Sequence, residues 1–211
     1  MFKVSRLEKK HLDSVALCHM KSFPESISTK LGKRYVKKML EWYMVSENRF
    51  IFGCFEKDVI VGYVGGLIGT GSTSAMIQYS FWEGVTSLFF KPQVLLNIDI
   101  LKKRNIIFKN IFTRIFYFLN IKLKKSGKKK NNGKNDSVGL IVIGVDSQYR
   151  RAGIGGLLLK RFERQCKNFS INKAHLSVKN NNFKAIEAYK KFGWIQESTS
   201  EESVKMILKI N

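Results

Sequence analysis

Gly139-Leu140-Ile141-Val142-Ile143-Gly144-Val145 runs directly into Asp146-Ser147-Gln148-Tyr149-Arg150-Arg151-Ala152-Gly153-Ile154-Gly155-Gly156. The first seven residues are almost continuously apolar, the pattern of a strand buried on both faces. From about Gly153 to Asn168, Leu157, Leu158 and Phe162 mark the inward side of a helix. A strand, a glycine-rich turn and a helix therefore follow one another. Alternate glycines let several backbone N–H groups point into one concavity, and the helix N-terminus adds partial positive charge. A pyrophosphate suits such a turn. Arg150 and Arg151 raise the local positive potential, and the missing side chains of Gly153 and Gly155 admit phosphate oxygens closely. Taken alone, the same glycines also fit a strand-turn-helix that uses them only for tight packing.

Spacing excludes two common phosphate binders. A mononucleotide P-loop needs Gly-Lys-Ser/Thr after the turn, and this chain has Gly155-Gly156-Leu157. A dinucleotide fold needs a third glycine in register and an acidic residue about twenty positions on. Here Gly156 is displaced and no acid ends the next strand.

Downstream, the pattern predicts a strand over Ala174–Val178, a helix over Asn182–Phe192, and strands over 195–197 and 204–210. Upstream, it predicts a strand from Met1 to Lys9 and a helix carrying Leu12, Val15, Ala16 and His19 inward, stopped at Phe23-Pro24. A second amphipathic helix is expected from Leu31 to Ser46. A hairpin follows, with strands over 50–55 and 59–66 joined through Glu56-Lys57-Asp58. Between Gly69 and Ser137 the regularity lapses. Gly69 to Ser74 reads as a loop, Leu88–Leu101 and Ile106–Leu123 as helices, and Lys124–Asp136 as a mobile loop. Lys109 and Arg114 interrupt the second of those helices, which falls short of a membrane span of roughly 20 clean apolar residues.

The 211 residues suffice for one buried core, so a single domain over 1–211 with an insertion at approximately 72–137 is expected. With 44% hydrophobic and 12% aromatic residues the chain is too apolar to be disordered. Cys18, Cys54 and Cys166 lack the spacing of metal ligands or a redox pair and read as reduced thiols, with no metal expected. The N-terminal residues contain no apolar run of signal-peptide length, which points to the cytoplasm. The net charge is +22, and residues 100–135 hold twelve Lys or Arg and no Asp or Glu. A local partner for that segment is therefore the natural question.

Arg150-Arg151-Ala152-Gly153-Ile154-Gly155 resembles the GNAT superfamily signature Arg/Gln-x-x-Gly-x-Gly/Ala. The resemblance continues through Asn182-Phe183-Lys184-Ala185-Ile186-Glu187-Ala188-Tyr189-Lys190-Lys191-Phe192-Gly193-Trp194, close to Asn-x-x-Ala-x-x-x-Tyr-x-x-x-Gly-Phe. Trp194 stands where the family usually has Phe. The match is strong from Gly139 to Trp194 and loose before it. It implies an α/β (α+β) fold with a mixed, mostly antiparallel sheet splayed at its centre, flanked by helices and carrying a basic helical insertion.

The activity implied is acetyl transfer from acetyl-CoA directly to a primary amine, since no cysteine lies in the motif to accept the acetyl group. Backbone groups of Ile143 and Val145 would pair with the pantetheine arm. The turn Arg150, Arg151, Ala152, Gly153, Ile154, Gly155 and Gly156 would hold the pyrophosphate. Asn182 would bond the pantetheine, cap its helix, or do both. Tyr189 would protonate the departing thiolate, its alternative being core packing. The Val145 amide would polarise the thioester carbonyl.

Glu25, Glu83, His175 or a water chain are the candidates for deprotonating the amine. A small acceptor such as an amino sugar is favoured over a protein N-terminus or lysine. The basic insertion fits an anionic substrate, an anionic membrane surface that would make the protein membrane-peripheral, or a solvated loop. Its aromatics, at mainly helical spacing, make nucleic acid an unlikely partner. A non-catalytic CoA-binding regulator is the rival reading, and the oligomeric state stays open.

Overall fold

In the computed structural model, residues 1–69, 73–96 and 137–210 are described. The strands are β1 (Phe2–Arg6), β2 (Arg49–Glu56), β3 (Val59–Ile68), β4 (Val138–Val145), β5 (Lys173–Lys179), β6 (Ile195–Thr199) and β7 (Ser203–Lys209). They form one seven-stranded sheet in the order β1-β2-β3-β4-β5-β7-β6. Every neighbouring pair is antiparallel except β4 with β5. This is the mixed, mostly antiparallel sheet that the sequence leads one to expect. The helices are α1 (Leu12–Ser22), α2 (Ile27–Leu31), α3 (Lys33–Glu41), α4 (Thr73–Tyr79), α5 (Phe81–Phe90), α6 (Ile154–Asn168) and α7 (Phe183–Lys191).

Both faces of the sheet are covered. On one face Phe50, Phe52 and Val64 meet Leu158 and Phe162 of α6, with Ile186 of α7 and Trp194 at the far end. On the other face Ile51, Tyr63 and Leu67 meet Val15 of α1, Val36 of α3 and Tyr43. Burying each such aromatic side chain contributes about 2 kcal/mol, so the two layers hold the central strands from both sides.

Two expected helices differ from the observed ones. Gly32, at φ +103°, breaks the helix expected from Leu31, leaving α2 and α3 at an angle the left-handed residue sets. Ser26 caps α2 by accepting from the Thr29 N–H at 3.2 Å. The helix expected over Leu88–Leu101 ends at Phe90: Pro92 has no N–H and drives Lys91 out of helical geometry, to φ −135°, ψ 63°. The helical segment lies upstream instead, as α4 and α5, with a 3-10 turn over Pro92–Leu96. The expected helix over Ile106–Leu123, the end of the Leu88–Leu101 helix and the loop over Lys124–Asp136 lie outside the described residues.

Candidate active site

The site is built on β4, whose two edges are treated differently. Toward β3, seven positions pair, from Gly62↔Val145 to Ile68↔Val138. Toward β5, only Val138↔Ala174 and Gly139↔His175 pair, and the strands then part. β5 itself continues to pair with β7 along its whole length, Lys173 to Lys179, so the break belongs to the β4–β5 seam.

A bulge explains where the seam opens. Gly65 pairs with Val142 and Gly66 with Leu140, leaving Ile141 as an extra residue. A bulge increases local twist and bends its strand; this one falls two residues after the last β4–β5 pair. It also shifts the phase of the side chains. Ile141 and Val142 both pack toward the α1 face, while Leu140 before them and Ile143 after them pack toward the α6 face.

The phase of the backbone follows. The Asp146 N–H donates to the Val61 carbonyl at 2.9 Å, so this is a hydrogen-bonded pair of the β3–β4 ladder. Antiparallel pairs alternate between bonded and non-bonded. Gly144 and Val142 therefore bond to β3, and the N–H and C=O of Ile143 and Val145 turn the other way, into the gap beyond which β5 has departed. Gly144 is needed on the closed side: a Cβ there would lie 2.8 Å from Tyr63 and 2.9 Å from Phe23.

The turn after β4 ends at a helix without a side-chain cap. Arg151 and Gly153 hold left-handed backbone, at φ 70° and 77°, and Arg151 does so at a steric cost that a glycine would avoid. Such residues turn successive amides to one side. The first helical bond of α6 runs from Leu157 N–H to the Gly153 carbonyl. The amides of Ile154, Gly155 and Gly156 thus have no intrahelical acceptor at the head of a 15-residue helix. A Cβ on Gly153 or Gly155 would meet no described atom within 4 Å. The backbone at Gly153 and Gly155 is therefore unobstructed on the side a Cβ would occupy.

The other residues of the motif divide between two duties. A Cβ on Gly156 would come within 2.6 Å of Phe192, so Gly156 seats α6 against the end of α7. The Ile154 side chain is buried beneath β3, leaving only its backbone for a ligand. Arg150 donates to the Ser22 carbonyl at 2.9 Å, tying the turn to the end of α1. Asp146, buried, adds a second tie through Lys21 at 3.3 Å and accepts from the Gln148 N–H. Arg151 and Ala152 are exposed.

Asn182 caps α7, its side chain accepting from the Ala185 N–H at 3.3 Å. Tyr189 is half-buried at the margin of the same core as Ile143 and Val145, its ring 5.9 Å from that of Trp194. Burial pushes its phenol up to about 12 and keeps it protonated. Trp194 is itself buried against Phe162, so the larger ring is absorbed in packing.

The three proton-acceptor candidates do not converge. Glu25, exposed between α1 and α2, pairs with Lys30 at 3.1 Å. Glu83 lines a groove of about 430 Å³ with Asp13, Lys33 and Glu41, at the end of α1 remote from Ser22. His175 is half-buried at the paired end of β5 beside Gly139, and burial lowers its pKa. His19 is a buried group whose chemistry the motif did not point to. Its Nδ1 lies 2.5 Å from the Tyr63 hydroxyl and its Nε2 2.8 Å from Ser28 Oγ, while burial lowers its pKa to about 4. Its inward place in the α1 spacing was the available signal, because a buried imidazole needs polar partners.

Among the described residues, no helix is long and apolar enough to cross a membrane. The three cysteines are buried and unpaired by disulfides.

Residues 122–194 match the acetyltransferase (GNAT) family model. No curated protein matches the sequence. Solved structures share the fold over nearly the whole chain. The PaiA N-acetyltransferase of Thermoplasma acidophilum, in complex with coenzyme A, has 13% identity and a TM-score of 0.56, covering 99% of each chain. The ribosomal-protein-S18-alanine N-acetyltransferase of Escherichia coli has 16% identity and a TM-score of 0.55, covering 100% of this chain and 95% of that one. An N-acetyltransferase of Staphylococcus aureus has 10% identity and a TM-score of 0.60, covering 100% and 99%. Residues 122–194, which hold the splayed end of β4 and the glycine turn, are thus similar to the GNAT acetyltransferase family, and the chain shares its fold with solved N-acetyltransferases.

Proposed function

We propose that the protein transfers an acetyl group from acetyl-CoA directly to a primary amine, with a small acceptor such as an amino sugar favoured over a protein N-terminus or lysine. The observation that carries this reading is the unpaired edge of β4 leading to an open, uncapped helix N-terminus. The amides of residues 154–156 and the turn from Arg150 take the pyrophosphate. The gap-facing groups of Ile143 and Val145 take the pantetheine arm as a surrogate strand. The Val145 amide polarises the thioester carbonyl as negative charge builds on its oxygen. Asn182, capping α7, keeps its exposed side chain at the arm's exit.

Tyr189 supplies a hydrogen bond to the sulfur as it leaves. A phenol held at about 12 gives its proton up to a thiolate of ordinary pKa, about 8.5, only against the gradient. Its contribution is therefore greatest as a donor to the developing negative charge, before any complete proton transfer. The acetyl group passes to the amine nitrogen in one displacement, and the amine proton leaves to water or to a group at the α1–α2 margin.

Calorimetry with acetyl-CoA, followed by thiol release across a panel of amino sugars, polyamines and N-terminal peptides, tests this. Saturable binding with steady release on one class of amine is the expected result. Binding without release on any amine would leave a coenzyme A-binding regulator, and absence of binding would end the assignment.

A further inference from the structure

We infer that α5 docks the protein onto an anionic lipid surface. Its sequence, Phe81-Trp82-Glu83-Gly84-Val85-Thr86-Ser87-Leu88-Phe89-Phe90, has a single charge and is apolar on opposite sides. The inner side is accounted for. Gly84 lets the Tyr35 ring approach to 3.3 Å from where a Cβ would stand, and Leu88 packs on the Leu31–Val94 cluster. The outer side carries Trp82, Thr86, Phe89 and Phe90 at i, i+4, i+7 and i+8, one stripe of the helix. Phe89 is 82% exposed and Phe90 79%. Large rings in such number on one outer face mark an interaction surface.

Charge selects the occupant. The net charge is +22, and the twelve cations of residues 100–135 follow soon after this helix in the chain. A second copy would bring an equal positive charge against the first. Single-stranded nucleic acid offers anions, but the Phe89 and Phe90 rings stand at 89° to one another, 5.5 Å apart, and cannot both lie flat on stacked bases. A bilayer with anionic headgroups supplies negative charge at its surface and, just beneath, a phase that accepts rings in any orientation.

The test uses the full chain sedimented with vesicles of phosphatidylcholine alone and of phosphatidylcholine with about 30% phosphatidylglycerol. Binding is expected on the second kind only, weakening as salt rises. The double variant F89S/F90S leaves the charge unchanged and is expected to bind at least about tenfold less, with its thermal midpoint and acetyl-CoA affinity intact. The single variant F90S serves if the double one is poorly folded. Equal vesicle binding by variant and parent would overturn the proposal, because charge alone would then suffice. So would a self-associated parent that the variant turns monomeric, or a marked loss of thermal stability in both variants, which would mean that residues of this chain already cover the stripe.

Discussion

The two flanks of β4 are made of the same kind of residue and do opposite things. Toward β3 the strand is sealed by a ladder and by glycines placed so that rings can press against the sheet. Toward β5 it is paired for two residues and then left open, beside a turn whose Gly153 and Gly155 face empty space. Glycine on the sealed flank makes room for protein, whereas Gly153 and Gly155 on the open flank border empty space, where the proposed cofactor would lie. The contrast yields substitutions with opposite signs.

The largest effect is expected on the sealed flank. A Cβ on Gly66 would lie 2.3 Å from Phe50 and 2.9 Å from Phe162, both buried rings. Gly66→Ala should cost about 3 kcal/mol in urea unfolding, with acetyl-CoA affinity unchanged in the protein that remains folded. A similar loss awaits acid. His19, whose Tyr63 partner pairs with Gly144 of β4, titrates at about 4 when folded and at about 6.5 in a free chain. The unfolded chain then binds more protons, so the stability is present above pH 6.5 and disappears as pH falls toward 4. The loss amounts to about 3 kcal/mol, and His19→Gln should flatten that slope in unfolding curves taken across this range.

On the open flank, Tyr189→Phe should lower kcat by about 100-fold while KM for acetyl-CoA holds. Equal damage to both would reduce Tyr189 to a packing residue. Gly155→Ala reverses the Gly66 result. The methyl group enters open space in the first turn of α6, so the thermal midpoint should hold or rise slightly, while calorimetric affinity for acetyl-CoA drops by about tenfold. If Gly155→Ala and Gly66→Ala fail in the same way, the distinction between the flanks is wrong. Smallest is the expected silence of Cys18, Cys54 and Cys166. Burial pushes the first two up to about 11 and Cys166 to about 12. The native chain should not react with a thiol reagent until denatured, which leaves released coenzyme A as the signal in a turnover assay.

Much of this was legible because residues 138–194 repeat simple signals. The apolar run of β4, the Arg150–Gly155 turn, the helical spacing of Leu158 and Phe162, and the alternation in β5 each point to one structure. The opening of the seam was not legible from those signals alone. Ile141, Val142 and Ile143 are all β-branched and apolar, so nothing in their order marks Ile141 as the extra residue, and register is weakly specified where both faces are apolar. The family resemblance supplied the splay, and the pairing locates it. α4 and most of α5 went unread for a related reason: rings on both sides of Phe81–Phe90 erase the 3.6-residue period. Contacts that join distant parts, such as Arg150 with the Ser22 carbonyl or Gly156 under Phe192, have no local signature.

The alternation along β4 has a consequence for isotope labelling. With the ligand absent, the amides of Val142, Gly144 and Asp146 are held by β3, while those of Ile143 and Val145 between them face the seam. Deuterium should enter this strand like light through a comb, at every second tooth. Filling the cleft would close those teeth alone, so a single strand reports occupancy residue by residue.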